Sequence, residues 1–169
     1  PVSTHSELYI SEPRIYFGEL TNDWVVVNTT FKEFDYPQGY DNAENSYQGQ
    51  TGIALTPLNK LMLSIHRATP QFYFSKEVTS ESKILLHRNI LDRVKKLAPF
   101  LKYDNNPYPV IDQGRIKWFI DGYTTASTLP YSSLYSDNDF NYIRNSIKII
   151  IDAYDGTVDF YMIDHEDPI

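Results

Sequence analysis

The spacing of apolar positions changes twice along this chain. Before residue 56 it is set by short β-branched and aromatic runs at residues 14–17, 24–29 and 31–34, punctuated by Gly18 and by Asn22 and Asp23. Such runs predict strands. Residues 1–13 read as an irregular segment, and residues 35–52, rich in Gly, Asn and other polar residues, read as a long loop. Thr56 followed by Pro57 is then a helix-start pair, an N-cap with Pro at the first helical position. Leu58, Leu61, Met62 and Ile65 follow at helical spacing, which predicts a helix over about 57–68. A second helix is expected over about 80–98, with Ile84, Leu91, Val94 and Ala98 as its stripe and Pro99 as its stop. His87 falls on that stripe and reads as a core histidine.

After Pro99 the period becomes two. Residues 108–112, the pair Gln113 and Gly114, and residues 115–121 predict a β-hairpin. The stretch IIIDAYDGTVDFYMID (149–164) predicts a second, and its likeness to IDQGRIKWFID (111–121) reads as a weak structural repeat. With a turn at Asp155 and Gly156, Asp152 pairs with Asp159, Ile151 with Phe160, Ile150 with Tyr161 and Ile149 with Met162. One face is then apolar throughout, and the other carries Asp152, Asp159, Tyr154 and Tyr161. A slip of one residue would invert both faces, so the register is strongly specified. The fold class expected is α+β: an antiparallel sheet containing two β-hairpins, with the two helices packed on one face, in a single domain over residues 1–169.

Composition narrows the function classes. The chain has 169 residues and a net charge of −7, which argues against a nucleic-acid partner and against docking on anionic lipid, since both require a basic patch, though a local patch remains open. The densest basic cluster is Arg88, Arg93, Lys95 and Lys96. Aromatic residues reach 15%, including 14 Tyr, which favours broad half-wet contact surfaces. Without Cys there is no disulfide framework, thiol chemistry or Cys-based zinc site. No apolar run approaches the roughly 18–20 residues of a membrane helix. The chain opens at Pro1 and reads as a piece of a longer protein.

Candidate chemistry centres on acidic residues. Like charges directly opposite on paired strands repel, so Asp152 and Asp159 call for a cation; Arg115, Arg144 and Lys148 are the nearest candidates. Asp137, Asp139 and Asn141 match the opening of a calcium loop, but Tyr142 stands where the sharp-turn Gly belongs and Lys148 where the bidentate Glu belongs. The polar-loop reading is favoured there, with calcium as the alternative occupant. Ser80 and Lys83 fit an S-x-x-K pattern without its companion motifs, which reads as a helix start rather than a nucleophile. The four His residues are scattered. Residues 124–142 form a long Ser/Thr/Tyr-rich loop of the kind that carries function.

Several ordered runs carry a resemblance: RIYFGE (14–19), EFDYP (33–37), RNI (88–90), LAPFL (97–101), WFIDGYTT (118–125), LPYS (129–132), NYIRNSIK (141–148) and DAYDG (152–156). Together they resemble the extracytoplasmic part of a large uncharacterised membrane-protein family of clostridia, actinobacteria and cyanobacteria. That resemblance implies a parent with several membrane spans and a placement outside the bacterial cell membrane. It implies no catalytic residues and no cofactor. The reading that follows is a non-catalytic binding or structural domain. Its expected surface is Asp152, Tyr154, Asp159 and Tyr161 with Tyr131 and Tyr135 of the long loop. The rest of the parent, a second copy or a cell-envelope ligand are the expected partners. The alternative is a metal-dependent hydrolase or calcium module using clustered aspartates.

Overall fold

A computed structural model describes residues 9–38, 41–135 and 140–169. Among them run β1 (Val25–Val27), β2 (Glu33–Gln38), β3 (Asp41–Asn45), β4 (Ile53–Ala54), α1 (Pro57–His66), α2 (Pro70–Phe74), β5 (Lys83–Leu85), α3 (Ile90–Leu97), β6 (Lys102–Tyr103), β7 (Tyr108–Asp112), β8 (Arg115–Ala126), β9 (Tyr142–Asp152) and β10 (Val158–Met162). The described strand pairs are antiparallel and the class is α+β, as the periodicity predicts. The chain divides into two compact units, residues 1–22 with 87–169, and residues 23–86.

The larger unit is built on a five-stranded sheet in the order β10-β9-β8-β6, with β7 also paired to β8. The first hairpin forms as expected: Asp112 pairs with Arg115 across Gln113 (φ 50°) and Gly114 (φ 80°). Two successive positive φ values match the right-handed twist of the flanking strands, and Gly at the second site adopts one without strain. Ile120, Ile149 and Ile151 lie on one sheet face and are completely buried. Ile90 and Val94 of α3 are equally buried, and the Tyr103 hydroxyl of β6 donates to the carbonyls of Val94 in α3 (3.1 Å) and of its C-cap Ala98 (2.7 Å).

The second hairpin corrects the expected register. Val158 pairs with Ile151, Asp159 with Ile150, Phe160 with Ile149, Tyr161 with Lys148 and Met162 with Ile147. The shift from expectation is two residues, so each side chain keeps its expected face, but Asp152 and Asp159 no longer meet. The reason is a longer connection over residues 153–157. It is closed by Gly156 N–H donating to Asp152 O (2.8 Å) and Asp152 N–H donating to Thr157 O (3.1 Å).

Residues 14–17 are not a strand. Tyr16 and Phe17 both donate their backbone N–H to Ala153 O (2.9 Å each), and Trp118 Nε1 donates to Phe17 O (3.0 Å). The segment is thereby tied to the turn and to β8, which satisfies its backbone without a ladder. The Phe17 ring is buried, with the Arg93 guanidinium 4.7 Å from its centroid.

In the smaller unit β1, β5 and β4 form a three-stranded sheet, and β2, which begins in the run 31–34 expected to be strand, continues into the stretch expected to be loop and pairs there with β3. Helix α1 starts where predicted, with Thr56 Oγ1 accepting from Asn59 N. The second helix was expected from residue 80, but residues 83–85 are strand β5 and helix begins at Ile90. Ile84 pairs with both Val26 and Ile53 and is buried, so central-strand burial overrides the helical spacing. Ser82 closes a turn instead of opening a helix: its hydroxyl donates to Asn28 O and accepts from Thr79 N. His87 is exposed in the connection with φ 51°, not in the core. The true cap of α3 is Asn89, whose Oδ1 accepts from Leu91 N and Asp92 N.

Gly156 has φ +68°, and a Cβ there would lie 2.6 Å from carbons of the Phe17 ring. Both backbone strain and overlap with a buried ring oppose substitution. Gly156→Ala is expected to cost about 2–4 kcal/mol in chemical denaturation.

Candidate functional site

Of the acidic residues singled out by sequence, Asp152 is engaged inside the larger unit. Asp152 is 8% exposed. Its Oδ1 accepts from Tyr154 N (2.9 Å), Asp155 N (2.8 Å) and Arg115 Nη2 (2.8 Å). The same Arg115 nitrogen reaches Asp155 Oδ2 at 2.7 Å. The guanidinium also lies 5.8 Å from the centroid of the Tyr154 ring, which is buried and meets Tyr16 edge-on at 5.2 Å. Asp152 is therefore the acceptor that organises the turn after β9. Neither it nor Tyr154 belongs to an open surface, which corrects their expected placement. Of the candidate cations, Arg115 serves Asp152, Lys148 pairs with Asp121, and Arg144 pairs with Asp164.

Asp159 and Tyr161 do share one face of β10, and both are exposed. Ile150 and Lys148 of β9 stand beside them. On that face Lys148 is hydrogen-bonded to Asp121 and sits 5.5 Å from the Tyr108 ring centroid, while Tyr108 stacks on Phe119 at 5.7 Å. The hydrogen bond from Lys148 is the main reason the Asp121 carboxyl is held below its ordinary value. The opposite face of β10 carries Phe160 and Met162, which are 40% and 62% exposed. β10 pairs with β9 and forms one edge of the sheet.

In the long loop, Tyr131 is fully exposed with φ 61°, and Tyr135 is exposed and stacked on Phe140 at 6.0 Å. Asn141 shapes this loop. Its Nδ2 donates to Leu129 O (2.8 Å) and Ser132 O (3.1 Å), and its Oδ1 accepts from Leu129 N (3.1 Å). Asp137 and Asp139 lie outside the described residues. Among the described residues no group of three or more His, Asp or Glu side chains is placed to hold a metal ion.

The oxygen-rich tail of residues 164–167 reads from sequence as a solvated end, but Asp167 is engaged by the sheet. Its carboxylate accepts from the hydroxyls of Thr124, Ser146 and Tyr142 and from Ile169 N. It borders a cavity of about 570 Å³ that Phe100, Met162 and His165 also line. No local pattern signals this contact, because Thr124 and Ser146 are brought together only by β8–β9 pairing around a bulge. Partial desolvation raises the Asp167 pKa, but the hydroxyl and backbone donors outweigh it and hold the carboxyl well below the usual range.

A depressed carboxyl stabilises the fold fully above its unfolded value near 3.8, and that contribution is lost as pH falls through the folded value. Thermal midpoints followed from about pH 5 down to about pH 2 should fall in the wild type. They should fall less steeply in Asp167→Asn.

The sequence profile of an uncharacterised protein family, UPF0182, matches residues 1–169. A UPF0182 protein of Desulfitobacterium hafniense is 63% identical over 169 residues, covering 100% of this chain and 18% of its own length. UPF0182 proteins of Alkaliphilus metalliredigens and Clostridium acetobutylicum are each 48% identical over the same 169 residues, again 18% of their length. The chain thus spans about a fifth of the curated relatives it matches. No solved structure matches it.

Proposed function

The chain belongs to the UPF0182 family, and from that premise we propose that it is a non-catalytic binding or structural domain on the outer side of the cell membrane, within a longer membrane-embedded polypeptide. The observation that carries the binding role is strand β10. It is a sheet edge whose Phe160, Tyr161 and Met162 are all substantially exposed. It holds one charge, Asp159, and neither Lys nor Pro. Edge strands usually carry such residues to discourage pairing, and an edge lacking them is a template for another strand. The partner in this reading is another part of the same polypeptide, since the relatives extend far beyond the matched region. A second copy and a cell-envelope ligand are the other partners that chemistry allows. A hydrolase or calcium module built on aspartates has less support, because Asp121, Asp152, Asp155 and Asp164 are each held by Arg or Lys.

Cysteine labelling tests this reading, because the chain has no Cys of its own. In the full-length parent, with its own cysteine background subtracted, Tyr131→Cys should react with a membrane-impermeant maleimide in intact cells. Tyr161→Cys should react at least about tenfold more slowly in the parent than in the isolated chain, because the edge is covered. Labelling of Tyr131→Cys only after permeabilisation would overturn the outer placement. Equal rates at Tyr161→Cys would overturn the role of β10.

A further inference from the structure

Helix α1 in the smaller unit is mounted with its apolar stripe outward. Leu58, Leu61, Met62 and Ile65 all face solvent, Ile65 at 72% exposure. The residue α1 buries is Ser64, whose hydroxyl donates to Lys60 O at 2.7 Å. Lys60 turns the same way, its ammonium donating to Ser75 O (2.6 Å) and Val78 O (3.1 Å). The helix is thus anchored chiefly through Lys60 and Ser64, with Leu63 half-buried on the same turn. Its sequence pattern would ordinarily place Lys60 and Ser64 in water.

Helix α2 extends the apolar surface with Phe74, 77% exposed, and Tyr73. Between the two helices lies a cleft of about 530 Å³ lined by Leu61, Ile65, Ala68, Pro70, Tyr73 and Phe74. Trp24 stands beside the same elements, edge-on to Phe72 at 6.0 Å and under the Arg67 guanidinium at 5.6 Å.

Charge separates the occupants this face could take. Residues 56–76 contain Lys60, His66, Arg67 and Lys76 and no Asp or Glu, in a chain whose net charge is −7. A second copy packed stripe to stripe would bring Arg67 and Lys76 of each copy together, with Glu77 the first acidic residue after the stretch. A surface that is both apolar and anionic would satisfy the stripe and its basic rim at once. We propose that α1 and α2 lie on the interface of an anionic lipid bilayer. In that arrangement the stripe and Phe74 enter the acyl boundary, Arg67 and Lys76 sit at the phosphate level, and Trp24 is near the headgroups. A basic rim with Leu, Ile and Phe on the opposite side is the composition of an in-plane interfacial helix. The inference goes beyond the binding role of β10, since it uses a different unit and a different surface.

The test is co-sedimentation of the full chain with vesicles of phosphatidylcholine alone, and of phosphatidylcholine with phosphatidylglycerol in roughly equal amounts. The wild type should partition at least about tenfold more strongly onto the anionic vesicles. Ile65→Glu should lower that partition by about tenfold or more, with an unchanged circular dichroism spectrum and melting midpoint, because the position is exposed. Lys76→Glu should weaken binding to the anionic vesicles specifically. Light scattering without lipid supplies the counter-test. A dimer that Ile65→Glu dissociates, with no vesicle binding, would assign the face to a second copy and overturn the proposal. Absence of vesicle binding by the wild type, or binding that Ile65→Glu leaves intact, would also overturn it. Binding lost in Phe160→Lys and kept in Ile65→Glu would move the lipid contact to β10 and leave the proposal for α1 refuted.

Discussion

The carboxylate of Asp152 is the point on which the larger unit turns. It leaves β9 almost out of water, where an isolated charge would cost several kcal/mol, and it is held there by two backbone N–H groups and one guanidinium. The two N–H groups belong to Tyr154 and Asp155, so the same carboxylate that is stabilised also dictates the path of the chain through the turn. That path places Gly156 against the Phe17 ring and points Ala153 O at the backbone of residues 16 and 17. A local electrostatic arrangement thereby fixes a segment more than a hundred residues away in sequence, and Trp118 secures it from the sheet side.

From this follows where function has room to reside. Asp121, Asp152, Asp155 and Asp164 act as structural partners of Arg and Lys, which leaves the exposed apolar and aromatic side chains as the larger opportunity. Two surfaces stand out, one in each unit. The β10 edge presents Phe160, Tyr161 and Met162. Helix α1 presents a stripe that its own unit does not cover. Exposed apolar surfaces of this kind are where proteins commonly meet partners, which is what the proposed binding role requires.

Legibility from sequence tracked how local each determinant is. The turn at Gln113 and Gly114 and the cap at Thr56 are written in adjacent residues, and both form as read. The two faces of the final hairpin were also legible, since parity survives a two-residue shift. The register itself was not, because the connection is longer than the two-residue turn that Asp155 and Gly156 suggest, and it is closed by backbone bonds at Asp152 that no residue pattern announces, although Arg115 was readable as a candidate cation for Asp152. Strand β5 was misread as helix because Ile84 is buried by pairing on both sides, a tertiary fact. Asn89, with Asp92 in the first turn after it, was a readable cap that the longer helical pattern obscured. Of the expected surface, Tyr131, Tyr135, Asp159 and Tyr161 are exposed, whereas Asp152 and Tyr154 are interior. The outward orientation of α1 lay beyond any periodicity, since spacing reports that a stripe exists and not which way it points.

The most direct measurement of the central claim is a double-mutant cycle between Arg115 and Asp152, using Arg115→Met, Asp152→Asn and the pair, read by chemical denaturation. If the guanidinium and carboxylate jointly hold the turn, the two substitutions are non-additive, with a coupling energy of roughly 1–2 kcal/mol. Strict additivity, with each change costing the same in the presence or absence of the other, would contradict it.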